Sequence, residues 1–269
     1  MRRARSRALA ATTAVLVTLL AAGCSPADQA PGSSAAPGGT SSGLSGELTI
    51  FAAASLTASF DELAAEFGEE NPGVMVKPID FDGSSTLVTQ LEEGASADVF
   101  ASADEANMQK LADAGLLAGD SSIFASNTLE IAVAPGNPKG IDSLSDLADP
   151  GLLVVLCAPQ VPCGAASQKL LSLDGVTVTP ASEEQNVTAV LTKVKTGEAD
   201  AGLVYKTDVL AAGSSVSGVD AENADQVVND YTIGVPKSAK DPALATAFIQ
   251  WVLSDRGQAV LDRYGFTRP

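Results

Sequence analysis

From residue 47 to residue 263, short apolar runs of strand length alternate with longer segments whose apolar residues recur at helical spacing. "ELTIFAA" (47–53) reads as a strand, and residues 55–70 place Phe60, Leu63, Ala64 and Phe67 at helical intervals. "NPG" at 71–73 stops that helix. "VMVKPI" and "ADVFASA" return as strands, with a short helix in "SSTLVTQLEEG" between them and another in "DEANMQKLADAG" after them. Further on, "LEIAVAP", "LLVVLCA", "VTVTP" and "AGLVY" are strand-like, while "GAASQKLLSL" and "QNVTAVLTKVKTG" are helical. "DQVVNDYTIGVP" is extended, and residues 241–263 form two helices divided near Ser254 and Asp255. Such alternation predicts an α/β chain with mainly parallel sheets flanked by helices. More than ten elements suit two lobes better than one, and ligands of open α/β sheets sit beyond the carboxyl ends of the strands.

Residues 1–24 stand apart from this pattern. "MRRARSR" is basic, and Ala8–Ala22 is an uncharged, mostly apolar run shorter than the ~20 residues a membrane-spanning helix needs. The run ends in "LLAAGC", which resembles the lipobox of bacterial lipoproteins. That resemblance implies a signal peptide cleaved before Cys24, lipidation of Cys24, and a protein anchored on the extracytoplasmic face of the cell membrane. Ala21 departs from the commoner leucine, and an ordinary secretory signal is the alternative. Residues 25–46 are Ser, Ala, Pro and Gly with a single charge, the composition of a flexible tether.

Residues 47–269 hold 12 basic and 32 acidic side chains, a formal charge of −20. Phosphate-backbone binding needs Lys and Arg clusters, so nucleic acid is excluded as a partner. The chain contains no histidine, which rules out Ser-His-Asp and Cys-His catalysis. Cys157 and Cys163 lie close together in "LCAPQVPCG". Outside the cytoplasm such a pair reads as a disulfide, whereas two thiols without histidine make a poor zinc site.

Four helix starts share a character: Ser55 follows "IFAAA", Ser84 follows "FDG", Gly164 follows "VPC", and Val187 follows "EEQN". Each offers unpaired N–H donors and the positive end of a helix beside small or neutral side chains. Converging, they would hold an anion without a full positive charge. Singly, each serine is better explained as an N-cap, and Ser59 with Glu62 offers an alternative capping box for the first helix. Tyr205 on its own reads as a core tyrosine, and Lys206 as a solvated charge.

"FAAASLTASFDELAAEF", "DGSSTLVTQLEEGASADVFASAD", "PQVPCG", "NVTAVLTKVKTGEADAGLVYKTD" and the final "RYGF" together resemble the molybdate-binding proteins of ABC importers, over most of residues 47–266 and in the same order. The resemblance implies a two-lobed periplasmic-binding-protein fold of class II type with a double chain crossover. Lobe I would comprise 47–127 and 229–269, lobe II 128–228, with hinges near 125–130 and 226–231. It places the oxyanion ligands on Ser55, Ser84, Cys163, Val187 and Tyr205, the two serines acting through hydroxyl and N–H. Cys163 replaces a more familiar alanine, which is compatible with a backbone donor and would let a disulfide pin the binding loop. Asn186 stands where an acidic residue often precedes the valine.

A fully deprotonated dianion accepts hydrogen bonds only, so neutral donors suit it and spare the desolvation of a buried arginine. The implied protein is a monomeric substrate-binding subunit, not an enzyme. It would have no cofactor and no direct metal ligands, take molybdate or tungstate as ligand, and dock on the transmembrane subunits of an ABC permease. Sulfate would be discriminated by size. Phosphate would need an acceptor for its own proton, for which Asp82 is the candidate. Three readings compete: a sulfate or phosphate binder of the same fold, a lipid-anchored serine hydrolase using Ser55 or Ser84, and a passive surface lipoprotein.

Overall fold

A computed structural model describes residues 43–269; the expected signal peptide, Cys24 and residues 25–42 of the expected tether lie outside the described residues. The first stretch runs β1 (Ser45–Leu48), β2 (Ile50–Ala53), α1 (Thr57–Glu70), β3 (Gly73–Val76), β4 (Asp80–Asp82), α2 (Ser84–Glu92), β5 (Val99–Ser102), α3 (Glu105–Asp113) and β6 (Ser122–Asn127). The middle stretch is β7 (Leu129–Val133), β8 (Val154–Cys157), α4 (Pro162–Leu173), β9 (Ser182–Glu184), α5 (Val187–Thr196), β10 (Ala201–Tyr205), α6 (Lys206–Ala212) and β11 (Ser217–Asp220). The chain closes with β12 (Asn229–Gly234), α7 (Pro242–Leu253) and α8 (Asp255–Arg263).

Two five-stranded sheets define two lobes, ordered β4-β2-β5-β12-β6 and β11-β7-β10-β8-β9. Sheet membership changes between Asn127 and Leu129 and again between Asp220 and Asn229, which is the double crossover of a periplasmic-binding-protein fold. Pairing is parallel along β4-β2-β5 and β10-β8-β9. It is antiparallel where the crossing strands join, β12 with β5 and β6, β7 with β10 and β11. The sheets are therefore mixed, because a strand that arrives from the other lobe enters from the opposite end. The parallel strands are the ones that end at the cleft between the lobes.

Local chemistry explains most elements. All four residues of β2 are buried, as a strand covered on both faces requires. Helix α1 buries Phe60, Leu63 and Phe67 at intervals of three and four. These rings meet Phe124 and Phe248 edge-on, with centroids 5.2–6.4 Å apart. Asp104, Asn186, Asp241 and Ser254 cap α3, α5, α7 and α8 through their side chains. No helix among the described residues is long and apolar enough to cross a membrane.

Several local expectations are corrected. Ser45 and Gly46, assigned to the tether, already belong to β1, because backbone pairing with β3 needs no apolar side chain there. "VMVKPI" is strand only to Val76, and a separate strand follows at Asp80–Asp82. "VTVTP" forms no strand; β8 pairs instead with the polar edge strand Ser182–Glu184, in register from Val155 opposite Ser182. The capping box at Ser59 and Glu62 is absent: Ser59 lies inside α1 and donates to Leu56 O (3.1 Å), while Glu62 accepts from Tyr264 OH at 2.6 Å.

Candidate functional site

The carboxyl ends of β2, β4, β8, β9 and β10 lie at the cleft, and the predicted residues follow them, except Tyr205, which is the last residue of β10. Ala53 lies opposite Asp82 in the β2–β4 pair, so the turns holding Ser55 and Ser84 are neighbours. In the other sheet, Cys157 lies opposite Glu184, which brings the start of α4, with Cys163, beside the start of α5, with Val187. Tyr205 closes β10 next to them. Ser55, Ser84, Cys163, Val187 and Tyr205 all line one small cavity, together with Asp82, Gly83, Ala103 and Asn186. Its volume is ≈ 10 Å³, about the space of one water.

Three helices begin here. Ser84, Cys163 and Val187 each sit in the first turn of α2, α4 and α5, where N–H groups have no acceptor within the helix. Helix α4 starts at Pro162 rather than at Gly164, since proline fits the first turn and needs no acceptor. Gly164 is dictated by space: a β-carbon there would lie 1.9 Å from Ala158 O. Cys157 and Cys163 form a disulfide with sulfurs 2.03 Å apart, tying the end of β8 to the first turn of α4.

The hydroxyls are arranged to donate. Ser84 Oγ accepts the Ala103 N–H at 3.0 Å, and Tyr205 OH accepts from Asn229 Nδ2 at 3.1 Å. In each case a protein donor occupies the oxygen and leaves its own proton for the cavity. Ser55 Oγ lies 2.8 Å from Tyr231 OH. An anion in the cavity favours the arrangement in which Tyr231 donates and Ser55 turns its proton inward. Tyr231 is itself approached by Asn127 Nδ2 at 3.5 Å. Burial raises the pKa of both Tyr205 and Tyr231, so the phenols keep their protons and remain donors.

Asn127, Asp208, Asn229 and Tyr231 were not among the predicted site residues. Asn127 and Asn229 stand where the chain changes sheets, and Asn127 Nδ2 also donates to Thr207 Oγ1 in the other lobe (2.8 Å). Their only sequence signal is a polar residue within an otherwise apolar extended run. Asp208 accepts the Tyr205 N–H at 2.9 Å in the first turn of α6. Burial pushes its carboxyl up to about 7. It lines a second cavity of ≈ 210 Å³ that shares Ala54 and Ser55 with the first, together with Thr188, Lys195 and Thr207.

The sequence profile of bacterial extracellular solute-binding proteins matches residues 48–267. The chain belongs to that family. It is 50% identical over 222 residues to the molybdate-binding protein ModA of Mycobacterium tuberculosis (strain ATCC 25618 / H37Rv), spanning 82% of this chain and 85% of that protein. Among solved structures, the periplasmic molybdate-binding protein of Azotobacter vinelandii matches with a TM-score of 0.70 at 22% identity, covering 82% of this chain and 99% of that one. The sulfate-binding protein SubI of Mycobacterium tuberculosis H37Rv matches with 0.72 at 20% identity, over 82% and 86%. Both show the solute-binding fold, and the fold by itself does not choose the oxyanion.

Proposed function

We propose that this solute-binding protein captures molybdate, and tungstate with it, between its lobes and delivers it to the transmembrane subunits of an ABC permease. The observation that carries the reading is a cavity whose hydrogen-bond donors are all uncharged, with Asp82 at its edge tied up by Gly83 N–H and Asn186. Ser55, Ser84 and Tyr205 present hydroxyls, and Cys163 and Val187 present first-turn N–H groups, with no arginine or lysine lining the space. A tetrahedral dianion that carries no proton satisfies every such donor. The 50% identity to a molybdate-binding protein supports the same ligand. We read lobe I as 47–127 with 229–269, lobe II as 128–228, and the hinges as the two crossovers. Residues 1–24 are read as a lipoprotein signal peptide and Cys24 as the site of a lipid anchor, with a monomeric domain held outside the cell membrane by the tether.

No catalytic role and no cofactor are assigned: Ser55 is paired with a phenol and Ser84 with a backbone N–H, and neither contacts a base.

The test is a thermal melt with molybdate, tungstate, sulfate and phosphate in turn. A ligand present at a thousandfold excess over its dissociation constant stabilises by about 4 kcal/mol. A large rise with molybdate and tungstate alone is expected. A rise with sulfate or phosphate in their place overturns the ligand, and no rise with any overturns the binding function.

A further inference from the structure

The cleft is closed by a hydrogen bond between lobes that involves none of the five ligand positions. Asn186 Nδ2 donates to Asp82 Oδ1 at 2.8 Å, joining the turn before α5 to the end of β4. Both partners are fixed from behind. Asn186 Oδ1 caps α5 by accepting the Ala189 N–H (2.9 Å), which leaves the amide's N–H₂ pointing outward. Asp82 Oδ1 also accepts the Gly83 N–H (2.7 Å). The two residues lie one position before Val187 and two before Ser84, so the bond is made where both anion-facing helix starts meet. Backbones approach closely at the same place: a β-carbon on Gly83 would lie 2.1 Å from Gln185 O.

We propose that Asp82 and Asn186 form an interlobe clamp that holds the closed form and slows release of the bound oxyanion, a positioning role outside the ligand set. The inference rests on the molybdate reading. It explains why residue 186 is an asparagine rather than the acidic residue expected from the resemblance. An aspartate would still cap α5, but it would turn a carboxylate toward Asp82, replacing a charge-assisted hydrogen bond by repulsion. It also assigns Asp82 a task other than reading a proton on the ligand: its Oδ1 already holds two N–H donors.

The decisive experiment separates the clamp from simple structural damage by exchanging its ends. In Asn186→Asp the cap survives and the clamp is lost. In the double variant Asp82→Asn with Asn186→Asp an amide again faces a carboxylate, with donor and acceptor reversed. Release of radiolabelled molybdate, chased with unlabelled molybdate, is followed for the wild type and for both variants. Losing a hydrogen bond to a charged group corresponds to release faster by roughly tenfold or more in Asn186→Asp, and the exchanged pair should recover most of the wild-type rate. Equal release from all three proteins overturns the clamp, as does a double variant at least as fast as the single one. Thermal melts of the same proteins keep the two failures apart. If wild type is stabilised by another oxyanion instead, the ligand is wrong and the release comparison is made with that ion. If none stabilises it, both readings fall.

Discussion

Gly83→Ala isolates lobe closure from the stability of either lobe. The backbone at Gly83 has φ −59° and ψ 135°, values open to any residue, so alanine strains nothing in the first lobe. Stiffening the unfolded chain should even stabilise by about 0.4–1 kcal/mol. The obstruction lies across the cleft, where the new methyl would stand 2.1 Å from Gln185 O and 3.0 Å from Val161 Cγ1. Restoring a contact of about 3 Å with the carbonyl requires the lobes to back away by about 0.9 Å. A bond of 2.8 Å between Asn186 and Asp82 would then stretch to about 3.7 Å, past the limit of a hydrogen bond. An anion held from both lobes would lose at least one further donor by the same movement. Hydrogen bonds to charged groups contribute about 1.5–3 kcal/mol each. Two lost bonds therefore weaken binding by roughly a hundredfold to ten-thousandfold. Calorimetric titration with molybdate measures the loss, and a melt without ligand shows whether the fold is intact. Gly83→Ala binding as tightly as wild type would refute the reasoning, since close approach of the lobes at Gly83 would then contribute nothing to holding the anion.

Two further outcomes follow from the disulfide and from Asp208. Replacing Cys157 and Cys163 by serine removes a short covalent loop worth roughly 2 kcal/mol, which should lower the melting midpoint by about 4–8 °C for a domain of this size; an unchanged midpoint would show that the loop holds its shape without the bond. Burial raises the Asp208 pKa from the ordinary carboxylate value of about 4 to about 7, so the folded state binds this proton more tightly than the unfolded state. Its contribution is full below about 4 and is lost as pH rises to about 7, on the order of 4 kcal/mol at most. Asp208→Asn keeps an acceptor for the Tyr205 N–H, so the stability gap between variant and wild type should widen in the variant's favour from pH 4 to pH 7. A gap that does not change with pH, read by chemical denaturation at each pH, would mean that Asp208 is not held neutral by its surroundings.

What the sequence reveals about this molecule divides along physical lines. Periodicity exposes elements whose burial is regular, and α1, α5, β2 and β10 are legible for that reason. It does not expose β9, whose "SEE" is polar because it lies at a sheet edge, while the alternating "VTVTP" nearby packs without joining a ladder. Nor does it expose β6 and β11, which flank the crossovers and owe their strand state to partners distant in the chain. Local pattern could point to Ser55, Ser84 and Val187 near helix starts, while Cys163 and Tyr205 came only from the resemblance; the convergence of the five could not be read at all, because it depends on the register of Ala53 with Asp82 and of Cys157 with Glu184. The supporting polar residues were less legible still. Asn229 matters because its amide reaches Tyr205 OH and Ala103 O, and Tyr231 because its phenol meets Ser55, contacts between residues up to 176 positions apart. Yet these contacts decide the chemistry. A serine or tyrosine hydroxyl accepts as readily as it donates, so the hydroxyls alone specify nothing about a ligand's protonation. With Ala103, Asn229 and Tyr231 supplying hydrogens to Ser84, Tyr205 and Ser55, each hydroxyl has its own proton free to point inward, and the cavity favours an anion that accepts from all three.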